Sequence, residues 1–342
     1  MSNKRDTILD SIKAFCITIV VIGHCIQYGS GLNYLKEELF FDNILFKLIY
    51  SFHMPLFMII SGYLFAYSIT RNWAKVLFQK VRSLILPIFS WAFIPCFFFI
   101  ITNLNGDLSF QQLITLYFNT ATHHLWFIWA VFYCSIIVLC IYHLFNNSIF
   151  VYILLFIVSF FITDSHNIGL YKFMYPYFVI GFLYNIKNLK NKLDHNTTKN
   201  AFIIFALVFF ILFLFYNKST YIYTSGHSIT NKNIIIQFII DTYRYLIGLV
   251  GSILIIMGFY KFFHKERISP IISYIGQKTI GIYIISEFIN NYVLTSLTWR
   301  FNNINYLWTI IETIIILVIS LVFVKIIQRY KFFNKILLGN RS

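Results

Sequence analysis

The stretch DSIKAFCITIVVIGHC, residues 10–25, decides the fold class, because it is an apolar segment typical of the first membrane-spanning helix of a chain. Three polar side chains lie within it or at its edge: Asp10, Lys13 and His24. Charged and titratable groups are costly in hydrocarbon, so each is expected to have a partner or a function. Asp10 precedes Lys13 by three residues and can pair with it on one helical face, which lowers the cost of both charges.

The composition extends this interpretation to the whole chain. Of 342 residues, 59% are hydrophobic and only 11% are charged, and the mean hydropathy is +0.74. Apolar runs of about 18 residues or more recur from end to end. We therefore predict an all-α polytopic membrane protein with a single embedded domain over residues 1–342 and no separate soluble domain. The first run is expected to be a retained helix rather than a cleaved signal peptide.

Ten spans are predicted, and the basic residues orient them. With the N-terminus in the cytoplasm, 18 of the 27 Lys and Arg residues lie on the cytoplasmic side and six on the outer side. This bias predicts that both termini are cytoplasmic, and it explains the net charge of +15 without nucleic-acid binding. The five cysteines lie in apolar segments without CxxC spacing, so we expect neither a disulfide framework nor a metal site. The predicted spans are 11–28, 45–70, 84–102, 123–143, 149–163, 171–186, 201–216, 238–260, 272–290 and 307–325.

This topology places several ionisable groups at one depth, in the outer half of the membrane. A lone histidine is more often a hydrogen bond between helices, and Asp241 with Arg244 could be only a structural ion pair. Trp126 could be an interfacial anchor. The shared depth across six helices favours a polar cavity, because such groups rarely occupy one level otherwise. The groups are His24, His53, His123, His124, Asp241, Arg244, Glu287 and Glu312.

Lys13 and His24 share one face of the first helix. Eleven residues at 100° each turn through 1100°, about 20° from three full turns, and separate the two Cα atoms by about 16 Å. This distance is too long for one proton transfer. It suits a long, thin substrate that enters from the cytoplasm and reacts near the outer end.

Five motifs resemble the acyltransferase-3 family of integral membrane acyltransferases, and its fucose-4-O-acetylase-like branch in particular. The first is Asp10, Lys13 and His24, which is similar to the family's D-x-x-R element followed by ten residues and then a His. The resemblance covers nearly the whole chain. The other motifs are FHMPLFMIISGYLF (52–65), KVRSLILP (80–87), HLWFI (124–128) and YIGQKTIGIYIISE (274–287).

The sequence departs from the family pattern at three places. Lys13 replaces the usual Arg, which keeps the charge but loses the planar fork for bidentate contact. The basic element lacks the second Arg of an RxxR pair, so that Lys80 and Arg82 remain. Ser286 and Glu287 stand where many relatives have His. We see no appended SGNH-type esterase domain, so transfer is expected to be completed by the membrane domain or a partner.

The resemblance implies a membrane O-acetyltransferase of the bacterial cytoplasmic (inner) membrane. The donor would be acetyl-CoA, as a co-substrate, and no metal is implied. The acceptor would be a hydroxyl of a cell-envelope polysaccharide, such as an O-antigen, capsule or exopolysaccharide unit, on a lipid carrier in contact with membrane lipid. A non-enzymatic glycolipid transporter or flippase is the alternative, because it too needs many spans and charges at the midplane.

The resemblance and the depth argument together give candidate site residues. His24 would be a general base or an acyl-carrying nucleophile. The other candidates fall into catalytic, donor-binding and acceptor-binding groups. The catalytic group adds Asp10, Lys13, His53 and Glu287; the donor group is Lys13, Lys80 and Arg82; the acceptor group is His124, Trp126, Asp241, Arg244 and Glu312.

Overall fold

A computed structural model describes residues 6–102, 109–187, 195–229, 233–262, 269–296 and 304–340, and it is helical over these residues, with no strand among them. The first helices are α1 (Thr7–Gly29), α2 (Leu32–Lys36), α3 (Ile44–Ile69), α4 (Trp73–Lys80), α5 (Leu86–Trp91), α6 (Phe93–Thr102), α7 (Phe110–His123), α8 (Trp126–Leu144) and α9 (Ile149–Ser159). The later ones are α10 (Ile168–Ile186), α11 (His195–Leu214), α12 (Ile222–Ser225), α13 (Ile234–Phe262), α14 (Pro270–Gln277), α15 (Thr279–Phe288), α16 (Tyr306–Arg329) and α17 (Lys331–Leu338).

The all-α, multi-pass membrane class is confirmed. Within the described ranges, six helical stretches are long and apolar enough to cross a membrane: α1, α3, α4 to α6 together, α8, α13 and α16. They coincide with six of the ten predicted spans. Helices also occupy the other four predicted segments, but whether these cross the membrane, and on which side the termini lie, stay predictions.

Two local features differ from the sequence-based expectations. No helix was expected between the third and fourth spans, yet α7 occupies 110–123, capped by Ser109 with Gln112 in a capping box. Its mixed polar composition hid it from a search for apolar runs. The ninth predicted span is not one continuous helix, because it breaks at Lys278 between α14 and α15 and continues after α15 as the π-helix Ile289–Val293.

Two glycines let α3 and α10 pack with their backbones in contact. A Cβ atom on Gly62 would lie 2.0 Å from the carbonyl oxygen of Phe178, and one on Gly181 would lie 1.9 Å from that of Ile59. Neither position can accept a side chain without moving a backbone. Small residues that allow such close approach are typical of helix packing in membranes, where apolar burial gives little drive between helices.

Helix α1 is central and mostly buried, in contact with α3, α13, α14, α15 and α16. Asp6 caps its first turn by accepting hydrogen bonds from the backbone N–H groups of Ile8 and Leu9. At the same end α14 packs so closely that a Cβ atom on Gly276 would lie 1.8 Å from the carbonyl oxygen of Asp10. The opening stretch is therefore fixed on the helices that carry the fifth motif.

The described C-terminal part of the chain folds back onto α5 and the π-helix Val81–Ile85 that precedes it. The indole N–H of Trp91 donates to the Leu337 carbonyl at 2.9 Å, and Arg82 Nη2 donates to the Asn340 carbonyl at 2.8 Å. Gly339 ends α17 with φ +64°, a left-handed conformation that favours glycine. A Cβ atom there would also lie 2.5 Å from the Ser83 Cα.

Candidate active site

An imidazole and a carboxylate from distant parts of the sequence meet inside the bundle. His24 Nδ1 on α1 lies 3.1 Å from Glu287 Oε2 on α15, and the two side chains are only 16% and 11% exposed. The distance is that of an ion pair, although the groups are not aligned for a hydrogen bond. A carboxylate at Nδ1 leaves Nε2 as the nitrogen suited to proton transfer, as in hydrolase triads.

Asn291 holds the carboxylate from the π-helix that follows α15. Its side-chain N–H group donates to Glu287 Oε1 at 3.0 Å and to the Glu287 carbonyl at 2.9 Å. One carboxylate oxygen therefore faces Asn291 while the other faces His24. Sequence analysis missed this residue, although its position one turn after Glu287 is the signal that could have found it.

Five tyrosines lie within electrostatic range of the Glu287 carboxylate: Tyr28, Tyr50, Tyr223, Tyr283 and Tyr292. The ring of Tyr28 also lies against His24, with centroids 6.0 Å apart. Two of them follow from helical periodicity, because Tyr28 is four residues after His24 and Tyr283 is four before Glu287. No signal in the sequence points to Tyr50 or Tyr223.

The structure brings two more predicted histidines close to this pair. His53 is buried, its Nδ1 lies 2.8 Å from the Ile49 carbonyl, and its ring centroid is 4.6 Å from that of Tyr50. His124 lies in the link between α7 and α8 rather than at the start of a span. Its Nε2 is 3.3 Å from the Tyr292 hydroxyl. Both histidines adjoin the His24–Glu287 pair without contacting it directly.

A cavity of about 490 Å³ opens at the end of the bundle that carries Lys13. Four basic side chains line it: Lys13, Arg71, Lys80 and Lys278. Among the described residues that line it, none is acidic. Lys13 Nζ also pairs with Asp10, which does not line the cavity, at 2.8 Å, as the spacing of the two residues predicted. We call this space the basic cavity.

The basic cavity ends beside the His24–Glu287 pair. Its lining includes Val20 on α1 and Tyr283 on α15. Each lies four residues before its partner in the pair, a rise of about 6 Å along a helix. The lining therefore runs from four cations to about one helical turn from the imidazole and the carboxylate, neither of which lines the cavity itself.

The predicted donor contacts divide between two spaces. Lys13 and Lys80 line the basic cavity, and Lys80 Nζ lies 4.8 Å from the centroid of the Phe65 ring. Arg82 instead binds the Asn340 carbonyl and lines an adjoining cavity of about 540 Å³ together with Lys75. Asn340 lines both cavities, so the C-terminal segment forms part of the wall between them.

Most of the predicted acceptor contacts lie away from His24. Arg244 pairs with Asp241 at 3.4 Å, and its guanidinium donates hydrogen bonds into the loop of residues 217–229, which includes α12. Glu312 lies over Gly29, more than one helical turn past His24 on α1. Trp126 is closer, because its ring is 6.4 Å from that of Tyr223. Residues predicted to lie at the same depth in the membrane as His24 therefore do not all lie near it.

The structure thus combines a buried imidazole–carboxylate pair with a basic cavity inside a bundle of apolar helices long enough to cross a membrane. The comparisons with known proteins give the class of this protein. A family model described as "Acyltransferase domain", of the acyltransferase-3 type, matches residues 6–329, so the chain belongs to the acyltransferase-3 family. It is therefore a membrane acyltransferase. Among the described residues, no group of three His, Cys, Asp or Glu side chains is placed to hold a metal ion.

Two curated relatives, both described as "Nodulation protein NolL", are similar to the chain. The protein of Mesorhizobium japonicum is 28% identical over 83% of this chain and 76% of its own length. The protein of Sinorhizobium fredii is 29% identical over 66% of this chain and 61% of its own length. No solved structure gives a significant match.

Proposed function

We propose that the chain transfers an acetyl group from cytoplasmic acetyl-CoA to a hydroxyl of a cell-envelope glycan, in the bacterial cytoplasmic membrane. The observation that carries the proposal is the basic cavity, which ends one helical turn from the His24–Glu287 pair. Family membership supports acyl transfer, and the cavity and the pair supply the two sides of the reaction. The transporter alternative explains neither the pair nor its connection to the cations.

The basic cavity is suited to a CoA thioester. Its cations, Lys13, Arg71, Lys80 and Lys278, would bind the phosphates of the donor at the cytoplasmic end. The span of about 16 Å from Lys13 to His24 is comparable to an extended pantetheine arm. The thioester would then reach the inner end of the cavity, next to the imidazole.

The chemistry requires a base and a stabiliser of negative charge. His24 Nε2 would take the proton of the acceptor hydroxyl as its oxygen attacks the thioester carbonyl. The tetrahedral intermediate would then collapse, the C–S bond would break, and the CoA thiolate would receive the proton from His24. Glu287 would stabilise the imidazolium, as the carboxylate of a triad does. The hydroxyls of Tyr28 and Tyr283, each one helical turn from a member of the pair in sequence, are candidates to stabilise the oxyanion.

The proposed topology has ten spans, both termini in the cytoplasm and one domain over residues 1–342. It places the basic cavity on the cytoplasmic side, where acyl-CoA is found, and the other end of the bundle toward a lipid-linked glycan. The bias of Lys and Arg toward the cytoplasmic side supports this orientation. Donor and acceptor would thus approach the pair from opposite ends of the bundle.

Purified protein in nanodiscs tests the function. It would be given acetyl-CoA and the lipid-linked glycan fraction from cells that lack the gene, and mass spectrometry would follow the glycan. The expected result is a gain of one acetyl group per acceptor unit. His24→Ala should abolish the gain, whereas His143→Ala, a change at an exposed histidine of α8, should preserve it. Transfer that survives His24→Ala, or no transfer at all, would overturn the proposal.

A further inference from the structure

The loop of residues 217–229 is held to the bundle by a buried arginine. Arg244, only 3% exposed on α13, donates from Nε to the Thr220 carbonyl at 3.0 Å, from Nη1 to the Gly226 carbonyl at 2.9 Å and from Nη2 to Ser225 Oγ at 2.5 Å. All three guanidinium nitrogens therefore bind this one loop. Such a fork is an anchor for the backbone rather than a free ligand group.

Asp164 provides a second anchor at the end of the loop. Its Oδ2 accepts the backbone N–H groups of His227 at 2.6 Å and Ser228 at 2.8 Å, while Oδ1 pairs with Lys172 at 2.7 Å. The His227 ring is fully buried, with Nε2 2.7 Å from the Tyr245 hydroxyl. A loop held at two places by charge-assisted hydrogen bonds, from a buried arginine and to a carboxylate, is strongly fixed.

The loop places Tyr223, on α12, against Tyr50, which packs on Gly23 next to His24 in α1. Its ring centroid lies 6.3 Å from that of Tyr50 and 6.4 Å from that of Trp126, both at steep angles. Glu287 acts on its hydroxyl electrostatically. Tyr223 nevertheless remains 46% exposed. It therefore presents an accessible aromatic face beside the proposed catalytic groups, and it does not line the basic cavity.

We propose that Tyr223 contacts the acceptor and positions a pyranose ring so that one hydroxyl faces His24. This inference rests on the proposed function and names its acceptor-binding residue. An aromatic side chain offers a flat apolar face for the C–H groups of a sugar and a polar tip for its hydroxyls. Anchoring by Arg244 and Asp164 would fix that face before binding, which limits the entropy lost when the acceptor is ordered.

Steady-state kinetics in nanodiscs test the role, with acetyl-CoA as donor and the octyl glycosides of glucose, galactose and fucose as acceptors. Tyr223→Leu should raise the acceptor KM about tenfold, the effect expected from losing an aromatic contact. The acetyl-CoA KM should not change. Tyr133→Leu is the matched control, because Tyr133 is similarly exposed, at 42%, and lies on α8 against Trp129. It should change neither constant.

Tyr223→Trp tests whether Tyr223 contacts the sugar, because a merely structural role would leave the order of preference among the three glycosides unchanged. It keeps an aromatic face of a different size, so we expect the ranking of the three glycosides to change. Arg244→Gln should raise the acceptor KM in the same way as Tyr223→Leu, and the double variant should be no worse than either single one.

Two failures can be told apart. If the wild-type protein transfers acetyl to no glycoside and to no native glycan, the proposed function fails. If it does transfer acetyl, but Tyr223→Leu leaves the acceptor KM unchanged or Tyr223→Trp leaves the ranking unchanged, then Tyr223 does not position the acceptor. In that case the proposed function stands.

Discussion

His24 Nδ1 lies 3.1 Å from Glu287 Oε2, although 263 residues separate the two in the chain. The contact joins the motif that opens the first span to the motif that closes the ninth predicted span. In the proposed mechanism the imidazole carries the proton and the carboxylate stabilises the imidazolium.

Glu287→Gln should lower acyl transfer by about 100-fold, the scale on which general-base catalysis depends on its supporting groups. An amide retains the shape but cannot stabilise an imidazolium. Glu287→Asp should recover part of the rate, since it restores the charge at a longer reach. Acetyl-CoA affinity should be unchanged in both variants, and single-turnover transfer with parallel calorimetry measures the two effects. Equal rates for Gln and Asp would show that the charge of Glu287 is not used.

Lys13→Ala should weaken acetyl-CoA binding about tenfold, the range of one charge-assisted contact. It should also remove the ammonium group that lies 2.8 Å from the buried Asp10 carboxylate, so thermal stability must be measured alongside. Lys13→Arg keeps the charge at the cavity wall and should bind acetyl-CoA nearly as well as the wild type. Calorimetry at low and high salt checks both variants, and donor affinity that is insensitive to Lys13→Ala would remove this residue from the donor site.

Gly339→Val should detach the C-terminal segment from the cavity mouth. The change forces a side chain into a left-handed conformation and against the backbone of Ser83. Because Asn340 lines the basic cavity, acetyl-CoA binding should weaken while the helical bundle remains folded. Donor affinity and circular dichroism together measure this. Unchanged affinity would mean that the segment is not part of the donor site.

Acid should loosen the loop of residues 217–229. Burial, with the positive charges of Lys172 and Arg244, lowers the pKa of His227 to about 3. The folded state therefore holds this imidazole neutral, whereas the unfolded chain binds a proton below about pH 6.5. The contribution of the neutral His227 imidazole to the stability of the fold is complete above that pH and declines as the pH falls toward 3.

His227→Gln should reduce this acid sensitivity. The thermal midpoint of the wild type should fall between about pH 7 and about pH 4.5, and that of the variant should fall less. His143→Gln, at an exposed histidine, should behave as the wild type does. If His227→Gln and the wild type lose equal stability over this window, the buried imidazole is not the group that titrates.

The relative positions of the polar residues of α1 could be predicted from the sequence, because a single helix fixes their spacing. Asp10 and Lys13 pair as their separation of three residues predicted. The meeting of His24 with Glu287 could not be derived in the same way, since it depends on how α15 packs against α1 and on the break at Lys278. Asn291 and Tyr223 depend on a π-helix and an anchored loop, and neither has a periodic signal.

Predicted depth in the membrane, used alone, assigned too many residues to one site. Asp241, Arg244 and Glu312 were placed with His24 because topology put them at one level. Depth does not fix position within the plane of the membrane, and the packing of α13 directs Arg244 into the 217–229 loop. The missed α7 has a related cause, because an amphipathic helix of 14 residues carries no span-like run.

The most direct test of the central claim compares His24→Ala with the wild type in two assays on the same nanodisc preparation. One is acetyl-CoA affinity by calorimetry, and the other is single-turnover transfer of acetyl to the lipid-linked glycan. If the donor binds in the basic cavity and reacts at His24, the variant will bind acetyl-CoA with wild-type affinity and transfer no acetyl group. Transfer by His24→Ala at the wild-type rate would contradict the account and reduce His24 to a contact between helices.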